Sequence, residues 1–174
     1  MLLYLVQHAE AKKEEEDAAR PLSEKGIHDI RNTALHLSNC GITVDSILHS
    51  GKLRARQTAE VLSGFLGPGK DISETEGLAP LDDPRIIEAR LKGLNESLMI
   101  VGHLPHLGKL VSLLLCGDME RNLVLFRMAG AACLERDETG SWSLKWMIIP
   151  DILPALKSEG RAGGFEIYAR DLGL

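Results

Sequence analysis

Two histidines, two arginines and a serine stand where short apolar runs of this chain give way to polar residues. They are Gln7-His8 after Leu2 to Val6, Ser50 to Arg56 after Val44 to Leu48, and Gly102-His103 after Leu98 to Val101. Taken singly, each has an ordinary reading: a lone histidine beside a strand is usually a satisfied structural group, and an arginine on a helix is usually a solvated charge. Their shared placement is what matters, because ligands of open α/β sheets bind in the crevice outside the carboxyl ends of the strands. An arginine is permanently cationic and offers a planar fork of donors matched to phosphate oxygens. A neutral imidazole is a nucleophile, and a second imidazole, if protonated, opposes developing negative charge. This set suits phosphoryl transfer better than acyl transfer. Zinc is the competing reading, since His8, His103 and His106 could supply three nitrogens. Against it, no cysteine or carboxylate completes the spacing and Pro105 splits HLPH, so neither a metal nor another cofactor is expected.

The elements that must position these groups can be read from periodicity. Leu2 to Val6, Val44 to Leu48 and Leu98 to Val101 are strands. Ser23 caps a helix that keeps Ile27, Ile30, Ala34 and Leu37 on one face and ends at Gly41. Leu53 to Leu66 forms a second helix closed by Gly-Pro-Gly at 67 to 69, Asp83-Pro84 starts a third, and Leu104 to Leu115 forms a fourth. Strands at Ala131 to Arg136 and Trp142 to Ile149 flank the turn Asp137 to Gly140. Trp142 and Trp146 share a face of the last strand at period two and belong to the core. Arg56 lies across the helix from Arg54 and is a surface charge, and His28, His36, His49 and His106 are structural or exposed. The alternation describes an α/β domain with much of its sheet parallel, spanning residues 1–174 as one unit. Residues 150–174 are a C-terminal extension carrying at most a short helix around Ile152 to Lys157.

Composition narrows the class further. The chain has 174 residues, of which 25 are acidic and 20 basic, for a net charge of −5. There is no bulk electrostatic case for nucleic acid or an anionic membrane, so any anion must be met by a local cluster. The apolar runs fall well short of the roughly 20 residues of a membrane span, and MLLYLVQHAEA lacks a secretory n-region. The expected location is the cytoplasm. Cys40, Cys116 and Cys133 show no CxxC spacing and read as buried thiols of a reducing compartment.

QHAEA after the first strand, RPLSEKG, SGKLRARQTAE and IVGHLPHLGKL occur in this order over roughly residues 1–149. Together they resemble the histidine phosphatase superfamily, and within it the small SixA-type phosphohistidine phosphatases. The resemblance implies a three-layer α/β/α sandwich of the phosphoglycerate mutase type. It also implies that His8 is the nucleophile transiently phosphorylated, that Arg54 and His103 hold phosphoryl oxygens, and that Arg20 faces the phosphate too. Ser50 either donates a hydrogen bond near the phosphate or simply enters the helix.

Two positions depart from the family signature, which is Arg-His-Gly at the strand end. Gln7 stands in the arginine's place and Ala9 in the glycine's. Gln7 removes one charge-assisted fork, by analogy a rate loss of roughly 10² to 10³. Ala9 matters only if its backbone needs a positive φ. The expected activity is hydrolysis of phosphohistidine on a signalling phosphotransfer protein, with phosphate as product. The alternatives are a weakened or inactive phosphate-binding relative and a phosphatase of small phosphoesters. An alkoxide leaving group would need a general acid; Glu76, Asp82 and Asp83 are in a suitable segment, with loop or capping roles the plainer reading.

Overall fold

The computed structural model describes residues 1–67 and 71–154. Ten α and β elements follow in chain order: β1 (Leu2–Gln7), α1 (Glu24–Asn39), β2 (Ser46–His49), α2 (Leu53–Leu66), β3 (Asp71–Glu74), α3 (Pro84–Leu91), β4 (Leu98–Gly102), α4 (His106–Cys116), β5 (Ala131–Arg136) and β6 (Trp142–Ile148). They build one six-stranded sheet in the order β3-β2-β4-β1-β5-β6. β1 to β4 run parallel, while β5 and β6 form an antiparallel hairpin on the far side of β1. The central strands β1 and β4 are continuous apolar runs because helices cover both of their faces.

The two faces are packed by different helix pairs, which makes the three layers. Ile30, Ala34 and Leu37 of α1 and Ala55, Ala59 and Leu62 of α2 bury against Tyr4, Val6 and Val101. Ile87 and Leu91 of α3 and Leu107, Leu110 and Val111 of α4 bury against Leu3, Leu5 and Ile100. Helix starts follow local chemistry. The Ser23 side chain accepts from Gly26 N–H at the head of α1, and Asp83 accepts from Arg85 N–H ahead of Pro84 at the head of α3. The glycine of RPLSEKG has a steric reason: a Cβ on Gly26 would lie 2.0 Å from the Glu10 carbonyl oxygen. α1 can therefore press against the loop leaving β1 only without a side chain there.

Four sequence expectations change. β3 was not anticipated: Asp-Ile-Ser-Glu lacks an apolar run because an edge strand bonded only to β2 has little to bury. The fourth helix starts at His106 rather than Leu104, after a cis Leu104–Pro105 bond. Trp142 and Trp146 do not share a face. The register of β5 and β6 slips between Cys133, opposite Trp146, and Leu134, opposite Leu144, so an extra residue reverses the alternation. Trp146 packs with Tyr4 on the α1–α2 side, and Trp142 packs on the α3–α4 side. Among the cysteines only Cys133 is buried; Cys40 and Cys116 sit exposed at helix ends. The last described element is a 3₁₀ turn, Pro150–Ile152. Most of the expected helix at 152–157, part of the turn at 67–69 and the rest of the C-terminal extension lie outside the described residues.

Candidate active site

The parallel strands bring their carboxyl ends together, and the side chains singled out above meet there. His8 follows β1, Ser50 follows β2, Arg54 projects from the first turn of α2, and His103 follows β4. The imidazoles of His8 and His103 are 4.7 Å apart between ring centres, inclined by 54°. Both are buried, at 8% and 2% exposure.

His8 is held in one tautomer. Its Nδ1 lies 2.7 Å from the Ala9 carbonyl oxygen, which only accepts, so Nδ1 carries the proton. Nε2 is left with its lone pair and accepts from Arg54 Nε at 3.3 Å. Burial, opposed by the Ala9 contact and aided by the charges of Arg54 and Arg20, pushes the His8 pKa down to about 4. At neutral pH the ring is an uncharged base with an available nitrogen.

His103 shares its Nε2 with Ser50 Oγ at 2.5 Å, while its Nδ1 is buried without a partner among the described residues. A proton on Nε2 avoids burying an unpaired N–H and leaves Ser50 as the acceptor. Burial first, then the charges of His8, Arg54, Lys52 and His106, push the His103 pKa down to about 3. An arriving phosphoryl dianion would reverse that balance, because opposite charge favours the protonated ring. Ser50 does not cap α2; Lys52 occupies that place without a side-chain bond.

Arg54 is half-buried and its pKa is lowered by burial and by Arg20, though a guanidinium stays charged at any physiological pH. Arg20 comes from the loop after β1, with a φ of 52° and its N–H bonded to the Asp17 carbonyl. Such a conformation is uncommon for a residue with a Cβ. Its Nε donates to the Lys12 carbonyl at 3.4 Å, and its charge is felt at both His8 and Arg54.

Gln7 is buried, its backbone bonded to Ala129 N–H and the Gly130 carbonyl, and its Oε1 has no partner among the described residues. Ala9 is buried with an ordinary negative φ, so replacing glycine there costs no backbone strain. Its N–H donates to Thr58 Oγ1, which in turn donates to the Arg54 carbonyl. The neighbouring Gln57 accepts from Leu22 N–H at 2.8 Å. Gln57 and Thr58 thus tie both ends of the β1–α1 loop to α2, roles that their place in RARQT hints at but does not specify.

The remaining sequence candidates separate cleanly. Arg56 is exposed and paired with Glu60. His28 and His36 sit at the surface of α1, whereas His49 is buried and accepts from Gly51 N–H. His106 is fully buried, with the Gly77 carbonyl and the Asp82 and Asp83 carboxylates as its polar neighbours and no full hydrogen bond to either ring nitrogen among the described residues. Asp82 accepts from Ala79 N–H, Asp83 caps α3, and Glu76 is exposed. Among the described residues, no group of three or more His, Cys, Asp or Glu side chains is arranged to hold a metal ion. No described helix is long and apolar enough to cross a membrane.

Similarity to known proteins bears on this arrangement. The profile of the histidine phosphatase superfamily (branch 1) matches residues 3–82. The phosphohistidine phosphatase SixA of Escherichia coli (strain K12) is 28% identical over 163 residues, covering 91% of this chain and 99% of that one. An uncharacterized protein of Picosynechococcus sp. is 35% identical over 133 residues, 72% of this chain and 79% of its own. Among solved structures, the protein histidine phosphatase SixA complexed with tungstate superposes with a TM-score of 0.77 at 27% identity, covering 87% of this chain and 98% of that one.

Proposed function

The chain belongs to the histidine phosphatase superfamily and is a phosphatase, and on that premise we propose that it hydrolyses phosphohistidine carried on another protein, through a covalent phospho-His8 intermediate. The observation that carries this reading is the His8 ring itself. It is neutral, its proton is fixed on Nδ1 by the Ala9 carbonyl, and its Nε2 lone pair is directed toward Arg54. On substrate binding the Arg54 guanidinium exchanges that contact for phosphoryl oxygens, and Nε2 approaches phosphorus to roughly 3–3.5 Å. The bond to the substrate nitrogen breaks as the His8 Nε2–P bond forms, and the leaving group departs as neutral imidazole when its distal nitrogen is protonated. Water then attacks phosphorus, releasing phosphate and restoring His8. His103, held by Ser50 and protonated as the phosphoryl dianion binds, adds positive charge against the developing negative charge, and so does Arg20.

An imidazole leaves without help that an alkoxide requires. The loop and capping roles of Asp82 and Asp83 therefore favour a P–N substrate over a small phosphoester. The partner in this reading is a histidine-phosphorylated signalling protein of the cytosol. SixA relatives are named for phosphohistidine, and one binds the phosphate analogue tungstate.

The test is phosphate release from a histidine-phosphorylated protein, with trapping of the phosphoenzyme and its loss in His8→Ala. Full activity in that variant overturns the mechanism, and faster hydrolysis of p-nitrophenyl phosphate than of phosphohistidine overturns the substrate. A second reading rests on Gln7: with a neutral amide in the arginine's place, the site binds phosphate while turning over slowly. Gln7→Arg then raises kcat; an unchanged rate shows that Arg54 and Arg20 suffice.

A further inference from the structure

Large apolar side chains left in water are unevenly distributed over this molecule. Eight are exposed among the described residues, and all but Leu144 lie at the carboxyl end of the parallel strands, six of them on the segments that follow β3 and β4 or precede β5. Leu81 (88% exposed) and Ile86 follow β3, Leu104 follows His103 directly, and Leu123, Leu125 (69%) and Met128 precede β5. Scattered single exposures carry no meaning, but concentration at one end marks a binding surface. Leu104 and Leu125 also line the same groove of about 320 Å³, together with Pro105 and Phe126.

The other side of the cleft is different. Arg20, Lys52 and Arg54, from the loops after β1 and β2, place their charge on the two histidines. The cationic loops lead to the α1–α2 face of the sheet, and the segments bearing Leu81, Ile86, Leu104 and Leu125 lead to the α3–α4 face. One flank of the mouth is therefore cationic and the other mainly apolar, with Lys109, Glu120 and Arg121 beside the leucines of the groove.

We infer that the apolar flank is a docking surface for the protein that carries the phosphoryl group, and that this protein presents an apolar patch beside its phosphohistidine. The inference rests on the phosphohistidine reading and adds where the partner sits. Position selects the occupant: whatever covers these side chains must also offer a phosphoryl group to His8. A second copy seated here would close both sites against each other, and a small metabolite held by Arg54 would leave Leu81 and Leu125 in water.

The experiment compares Leu81→Glu/Leu125→Glu with the wild-type chain on two P–N substrates. One is phosphoramidate, and the other is a folded histidine-phosphotransfer domain phosphorylated by it. The expected result is a fall of roughly tenfold or more in kcat/KM on the phosphoprotein, carried by KM. Hydrolysis of phosphoramidate stays within about twofold. Equal losses on both substrates, or no loss on either, overturn the docking surface. So does a wild-type dimer in sedimentation that the double variant dissociates with no change in substrate preference, which assigns the patch to a second copy. A wild-type chain that cleaves phosphoramidate but not the phosphoprotein overturns the docking surface and leaves P–N chemistry standing. Failure on both overturns the phosphohistidine reading as well.

Discussion

The two ends of the sheet solve the burial of polar groups in opposite ways. At the amino end lies a large cavity, about 660 Å³, bordered by Met1, Leu91, Asn95, Arg136 and Trp142. Its central cation is well partnered: Arg136 donates to the carbonyls of Leu91 and Leu94 and to Asn95 Oδ1, and its guanidinium lies 5.6 Å from the centre of the Trp142 ring. At the carboxyl end lie all four buried side-chain N and O atoms that have no partner among the described residues: Gln7 Oε1, His103 Nδ1 and both ring nitrogens of His106. Folded proteins rarely leave such groups unpaired. The lesson is that cavity size locates space, while unspent hydrogen-bonding capacity locates chemistry. Stability is concentrated at one end, and the other end gives some of it up.

Mutations at the two ends should therefore separate activity from stability. The largest effect belongs to His8→Ala, expected to lower phosphate release by roughly 10³-fold or more with little change in melting temperature. Next, Arg54→Ala should cost about 10² to 10³ in kcat, since it removes a preorganised cation from the developing charge. A third test is pH. In the unfolded chain both rings titrate near the ordinary histidine value, about 6.5. In the fold they titrate at about 4 for His8 and about 3 for His103. Above pH 6.5 both states are neutral and nothing is lost. Below it the unfolded chain takes up protons that the fold refuses, so stability declines by about 1.4 kcal/mol per pH unit for each ring until its folded pKa is reached. Urea unfolding between pH 7 and 5 measures the slope, and His8→Ala should reduce it.

At the amino end, Arg136→Ala should destabilise by about 2–3 kcal/mol, through carbonyls left unpaired, with kcat unchanged. The smallest effect has the opposite sign. His106→Leu removes two unpaired nitrogens from the core and should raise stability by about 1 kcal/mol in thermal unfolding. A stability loss in that variant would show that His106 is bonded in solution, and would blunt the contrast between the ends.

Much of the site was legible because its residues stand where apolar runs stop, and strand ends are the positions that an α/β topology gathers. His8, Arg54 and His103 converge for that reason, as does Arg20 through the RPLSEKG loop tied to α2 by Gln57. What escaped depends on contacts between distant segments. Nothing local shows that Ser50 reaches across to His103 rather than capping α2, or that His106 is sealed from water. β3 was invisible because an edge strand has no buried run, and Cys40 and Cys116 looked internal because composition does not report helix ends.

The slip between β5 and β6 has an optical consequence. By turning Trp146 toward Tyr4 and Trp142 toward Arg136, one surplus residue hands each helical layer its own fluorophore. With only two tryptophans in the chain, Trp142→Phe and Trp146→Phe each leave a single tryptophan, excited apart from the tyrosines at the red edge of the absorption band, on one side of the sheet. Coincident unfolding curves would mean that both layers melt as one unit, and separated curves would reveal which layer lets go first.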